Sequence, residues 1–127
     1  MLTREEAAAF CLAFPLTYAD TPFDDNNWVC MRHRGNRKIF AAIFAREGKI
    51  WINVKADPQW GDFWRQTFPS VIPAYHMNKK HWISIILDGS MTDEEVGRLI
   101  GDSYALTAPK TRKNRDADRS DIQMPNA

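Results

Sequence analysis

Apolar and polar residues alternate with two distinct periods along this chain, and the switches between them mark its elements. Ala7, Phe10, Cys11 and Phe14 recur at helical spacing behind Thr3 and Glu6, which have the three-residue separation of a capping box. A first helix is therefore predicted over about residues 4–14. Residues 15–27 contain Pro15, Pro22, Asp24, Asp25, Asn26 and Asn27, residues that fix φ or hydrogen-bond their own backbone, so the reading there is a loop. Three β-rich runs follow at 28–33, 37–45 and 49–55, separated by Arg34-Gly35-Asn36 and Arg46-Glu47-Gly48, and such short Gly-bearing connections predict two antiparallel hairpins.

Asp57 as N-cap and Pro58 in the first turn open a second helix over about 58–67, with Trp60, Phe63, Trp64 and Phe68 on one face. Residues 81–87 read as a further strand ended by Asp88-Gly89. Thr92 with Glu95 forms a second capping box, ahead of a helix whose Val96, Leu99, Ile100 and Tyr104 share a face. The predicted order is α-β-β-β-α-β-α, an α+β two-layer sandwich with an antiparallel sheet and helices packed on one face. One domain over 1–108 is expected, followed by a flexible polar tail over 109–127.

Alternation also assigns faces. Ile50, Ile52 and Val54 are expected in the core, with Trp51, Asn53 and Lys55 on the opposite side of the strand. Trp82 falls on the same outer face as Trp51. These two indoles either stand exposed beside basic residues, ready to stack on nucleobases, or are covered by the second helix or by the loop before His81.

Composition excludes several classes. The chain has 127 residues, 44% hydrophobic with five tryptophans, enough apolar surface to offset the entropy of ordering. No stretch approaches a membrane span, and the first residues lack a signal-peptide pattern, so the expectation is a soluble, cytoplasmic monomer. Cys11 and Cys30 fall short of a disulfide framework and read as reduced thiols. The formal charge of +1 conceals an uneven distribution: residues 1–27 carry −4 and residues 28–55 carry +6. Such separation permits a basic face on a near-neutral protein.

Candidate chemistry follows that charge. Arg32, His33, Arg34, Arg37 and Lys38 surround the first hairpin turn, where they would project as a cationic wing able to hold phosphates. Lys55 ends the third strand. Asn78, Lys79 and Lys80 form a second basic loop leading into His81 and Trp82, with Tyr75 and His76 as stacking or loop-supporting residues. His33, His76 and His81 match no zinc spacing, and no HExxH, GxSxG or phosphate-cradling Gly-rich loop is present. A non-enzymatic protein without metal or cofactor is expected.

The stretch PAYHMNKKHWISIILD at 73–88, with KIFAAIF, INVKADP and the closing DGSMTDEEVGRLIGDSYAL, resembles the MmcQ/YjbR family over about residues 3–108. The resemblance implies a CyaY-like (frataxin-like) α+β fold and DNA binding through a double-wing arrangement. A frataxin-like fold also raises iron handling through an acidic ridge. Here, however, helix one offers only Glu5 and Glu6, the following loop Asp20, Asp24 and Asp25, and the first strand is basic. Nucleic-acid binding, DNA above all, is therefore the leading expectation, with a protein-interaction or adaptor role as the alternative and iron binding behind both.

Overall fold

A computed structural model describes residues 1–110. The element order is α1 (Arg4–Leu12), β1 (Thr17–Asp20), β2 (Val29–His33), β3 (Ile39–Arg46), β4 (Lys49–Lys55), α2 (Pro58–Thr67), β5 (Val71–Pro73), β6 (Trp82–Leu87) and α3 (Asp93–Thr107). All strands pair antiparallel in one sheet of order β1-β2-β3-β4-β6-β5. The expected helices form where their caps place them. Both capping boxes close, Thr3 with Glu6 and Thr92 with Glu95, and Asp57 accepts from the Gln59 amide at the start of α2.

Two strands correct the seven-element reading. β1 lies inside the segment read as a loop, and β5 follows Pro69 and ends on Pro73. Each is an edge strand of four residues or fewer that pairs on one side only, where proline is tolerated because no second ladder needs its N–H. Neither is long enough to show a period of two. The flexible tail expected over 109–127 falls almost wholly outside the described residues, although Pro109 still lies against Gly35.

The sheet register separates two faces. Ala41, Ile43, Ile52, Val54, Ile83 and Ile85 join Ala7 and Cys11 of α1, Val96, Leu99 and Ile100 of α3, and Trp64 of α2 in one apolar cluster. All three helices therefore cover the same face, as the strand alternation predicts. α1 crosses α3 closely because Gly97 has no side chain: a Cβ there would stand 2.7 Å from the Phe10 ring.

The opposite face is also largely buried. Cys30, Ala42, Phe44, Trp51, Asn53 and Ser84 lie on it, and all are at most 4% exposed. Instead of helices, the segments 21–28 and 74–81 lie over this side, which brings Trp28 onto Phe44 at 4.0 Å and Tyr75 onto Phe44 at 5.6 Å between ring centroids.

His33 corrects one charge assignment. It is 2% exposed, packed between Phe40 and Tyr104 at 5.2 and 4.5 Å, and its Nε2 lies 2.9 Å from Thr107 Oγ1. The Thr107 hydroxyl donates to Ser103 O at 2.7 Å, so its oxygen accepts from Nε2–H. Burial holds its pKa below the usual histidine value, partly countered by the Tyr104 carbonyl. His33 thus belongs to the core and adds no charge to the hairpin. Because the unfolded chain takes up the proton at higher pH than the folded one, stability should be constant above about pH 6.5 and fall as pH drops below it. Chemical denaturation across pH 5–8 should show this loss in the wild type and a smaller one in His33→Gln.

Candidate nucleic-acid interface

A polar bracket fixes the loop that carries most of the family-like residues. Asn53 and Ser84 stand side by side on the two central strands, both fully buried on the outer face. Ser84 Oγ donates to Asn53 Oδ1 and accepts from Tyr75 N at 2.9 Å, while Asn53 Nδ2 donates to Tyr75 O at 2.7 Å. Both backbone groups of one loop residue are thereby satisfied inside the sheet's apolar surroundings, which is the condition for burying them.

Tyr75, held in this way, lies over Phe44 and Trp51, and the Arg46 guanidinium caps both Tyr75 at 4.4 Å and Trp51 at 5.0 Å. Trp51 is only 4% exposed, so of the two alternatives it takes the covered one, beneath the loop before His81. His76 follows with φ +61°, its ring 4.1 Å from that of Tyr75 and 6.4 Å from that of Trp28. Asn78 shapes the return. Its Oδ1 accepts from Lys80 N at 2.8 Å and His81 N at 3.2 Å, which occupies the carbonyl and turns the chain into β6. Lys79, Lys80 and His81 are left exposed, and Trp82 is half-buried.

The first basic turn is docked rather than projecting. Asn36 accepts from Lys38 N and donates to Thr107 O, Arg34 N donates to Leu16 O, and Gly35 abuts Pro109. Arg32 also departs from its expected role, because its Nε pairs with Asp20 at 2.8 Å and its Nη1 donates to Arg37 O at 2.8 Å. That side chain braces the turn. Arg34, whose guanidinium lies 5.6 Å from the Tyr18 ring, remains exposed with Arg37 and Lys38.

The register brings the two basic segments to one end of the sheet. β2 ends at His33, β3 begins at Ile39, and Lys55 at the end of β4 pairs with Trp82 at the start of β6. Arg34, Arg37, Lys38, Lys79 and Lys80 therefore lie at a common end, and none of the five forms an ion pair among the described residues. Lys55 is half-buried and lines the groove between α2 and α3 together with Asp57 and Asp102.

Cys11 and Cys30 are free and buried, and burial pushes the Cys11 thiol up to about 12 and raises that of Cys30. Among the described residues no group of three or more His, Cys, Asp or Glu side chains is placed to hold a metal. Asp20 is committed to Arg32, and Glu6 to its capping box. No described helix is long and apolar enough to cross a membrane. Sequence patterning passed over Trp28, Arg46 and Met77, whose contribution depends on how the loops fold back. Only the parity of Trp28 with Cys30 and Arg32 marks it for the outer face.

These features define an α+β protein with a six-stranded antiparallel sheet, three helices on one face and two loops on the other. The chain belongs to the YjbR family, whose family model matches residues 12–106. It is 28% identical to the uncharacterized protein YjbR of Escherichia coli strain K12 over 103 residues, 81% of this chain and 85% of that protein. Similarity to the uncharacterized protein YbdF of Escherichia coli O157:H7 reaches 40% over 82 residues, 65% of this chain and 66% of that one. The uncharacterized Bacillus subtilis protein YyaQ is 33% identical, with 84% of this chain and 99% of that one aligned. Among solved structures, Deinococcus radiodurans protein DR2400, with a DUF419 domain, superposes with a TM-score of 0.78 at 30% identity, covering 92% of this chain and 88% of that one.

Burial of Trp51 under Tyr75 and Arg46 has a measurable consequence. Trp51→Ala should lower unfolding free energy by about 3–5 kcal/mol in denaturant titrations. A loss near zero would place the indole in solvent.

Proposed function

We propose that this protein is a non-enzymatic nucleic-acid-binding protein, with DNA as its target, that grips the phosphate backbone with one end of its sheet. The observation that carries the reading is the convergence there of Arg34, Arg37, Lys38, Lys79 and Lys80, all exposed and without carboxylate partners among the described residues. Five unneutralised cations on two segments at the same end of the sheet raise the potential there, and a polyanion relieves it while releasing condensed counterions. The docking of the turn at 34–38 onto Thr107 and Pro109 supports this role, since a braced cation loses less side-chain and loop entropy on binding. On this reading the two segments act as wings of a CyaY-like fold, and the protein works as a cytoplasmic monomer.

A protein-adaptor role is the second reading, favoured by Trp60 and Phe63, which are about half exposed on α2 beside the groove toward α3. Mutation separates the two. Arg34→Ala/Arg37→Ala should weaken binding to all DNA sequences alike and flatten the log–log salt dependence by about two, with an unchanged unfolding midpoint. Fluorescence anisotropy at several salt concentrations reads both quantities. Unaltered affinity in this variant and in Lys79→Ala/Lys80→Ala would remove the basic end from the binding surface and leave the adaptor reading.

A further inference from the structure

The two loops on the outer face do not meet completely. Between them lies a cavity of about 580 Å³, within the roughly 300–1,000 Å³ span of small-molecule sites. Cys30 and Ile39 line it from the sheet, Phe23 and Trp28 from the segment 21–28, and His76 and Met77 from the other loop. The Trp28 indole is immobilised by its stack on Phe44 at 4.0 Å and flanked by Phe23 at 6.0 Å and His76 at 6.4 Å. Such walls suit a planar aromatic ligand.

Charge orients that ligand. Asp24 and Asp25 line the cavity from the segment that leads into β2 at Val29. Asp25 already accepts from Asn27 N at 3.0 Å, whereas Asp24 has no hydrogen-bond partner among the described residues. Two lining residues farther along the chain from Asp24 and Asp25 stand next to cationic segments: Ile39 follows Lys38, and Met77 is two residues from Lys79. A ligand matching both ends is planar, carries N–H donors on one edge and bears phosphate on the other side. From this geometry we infer that the cavity receives one unstacked base of a single-stranded nucleic acid, with guanine preferred.

This inference rests on the proposed function and narrows it to single strands. Bases are readable by pockets of this kind only when unpaired, and aromatic side chains then supply the stacking surface. Guanine offers adjacent N1–H and N2–H donors that a carboxylate accepts in bidentate fashion. Adenine and cytosine present a single amino group. Thymine places carbonyl oxygens on both sides of its one N–H, which a carboxylate repels. The flanking phosphates then run toward Lys38 and Lys79.

The test uses the full chain and fluorescein-labelled eleven-nucleotide oligo(dT) strands whose central position is dG, dA, dT or abasic, together with a duplex of the dG strand. Anisotropy at low salt should give the dG strand at least fivefold tighter binding than the abasic one, with dA between them and the duplex weaker than dG. Asp24→Asn/Asp25→Asn removes the charge from two exposed side chains while keeping an amide oxygen at 25 to accept from Asn27 N. It should cut the dG advantage over the abasic strand below twofold, while the loss of two negative charges contributes the same gain in affinity to all four strands. Equal affinity for all four strands, or a duplex as tight as the dG strand, overturns the base pocket, while salt-dependent binding in the same titrations leaves the phosphate grip standing. No binding to any strand at low salt overturns both.

Discussion

The contact on which the rest of the outer face depends is the bracket of Asn53, Ser84 and the Tyr75 backbone. Two fully buried polar side chains on adjacent central strands are a liability in a sheet whose other face is apolar, because a buried group left unpaired costs about 1–3 kcal/mol. Tyr75 supplies the missing partners through its own N–H and C=O. Satisfying that requirement draws the loop over the sheet, and the loop in turn brings Tyr75 onto Phe44 and Trp51, His76 toward Trp28, and Lys79 and Lys80 to the rim. The site is thus a consequence of hydrogen-bond accounting in the two central strands.

Much of the scaffold was legible in the sequence because local signals agreed with the tertiary outcome. Thr3 with Glu6, Thr92 with Glu95, and Asp57 with Pro58 each fixed a helix start, and Ile50, Ile52 and Val54 declared the buried face of β4. What escaped was set by partners distant in the chain. β1 and β5 exist through pairing with β2 and β6, since residues 17–20 and 71–73 carry too few side chains to show alternation and sit among prolines. His33 looks cationic beside Arg32 and Arg34, and only the packing of Phe40, Tyr104 and Thr107 around it makes it neutral.

The candidate site divides along the same line. Arg34, Arg37, Lys38, Lys79 and Lys80 were identifiable from charge clustering, which needs no tertiary information, and they remain exposed. Arg32 and Asn78 belong to the same clusters but serve the backbone, the first through Asp20 and Arg37 O, the second through the amides of Lys80 and His81. Trp51 lies on the predicted face yet beneath the loop. The lesson is physical: a run of cations in the sequence marks where positive charge can gather, while ion pairs and caps decide which members face a partner.

The central claim is that five exposed cations at one end of the sheet neutralise phosphates. A titration of the wild-type protein with single-stranded DNA over a series of salt concentrations tests it most directly. Full engagement of all five predicts that log K falls linearly with log salt, with a slope of about −3.5 at ~0.7 per phosphate contact. Affinity that is absent at low salt, or that does not change with salt, would contradict the account.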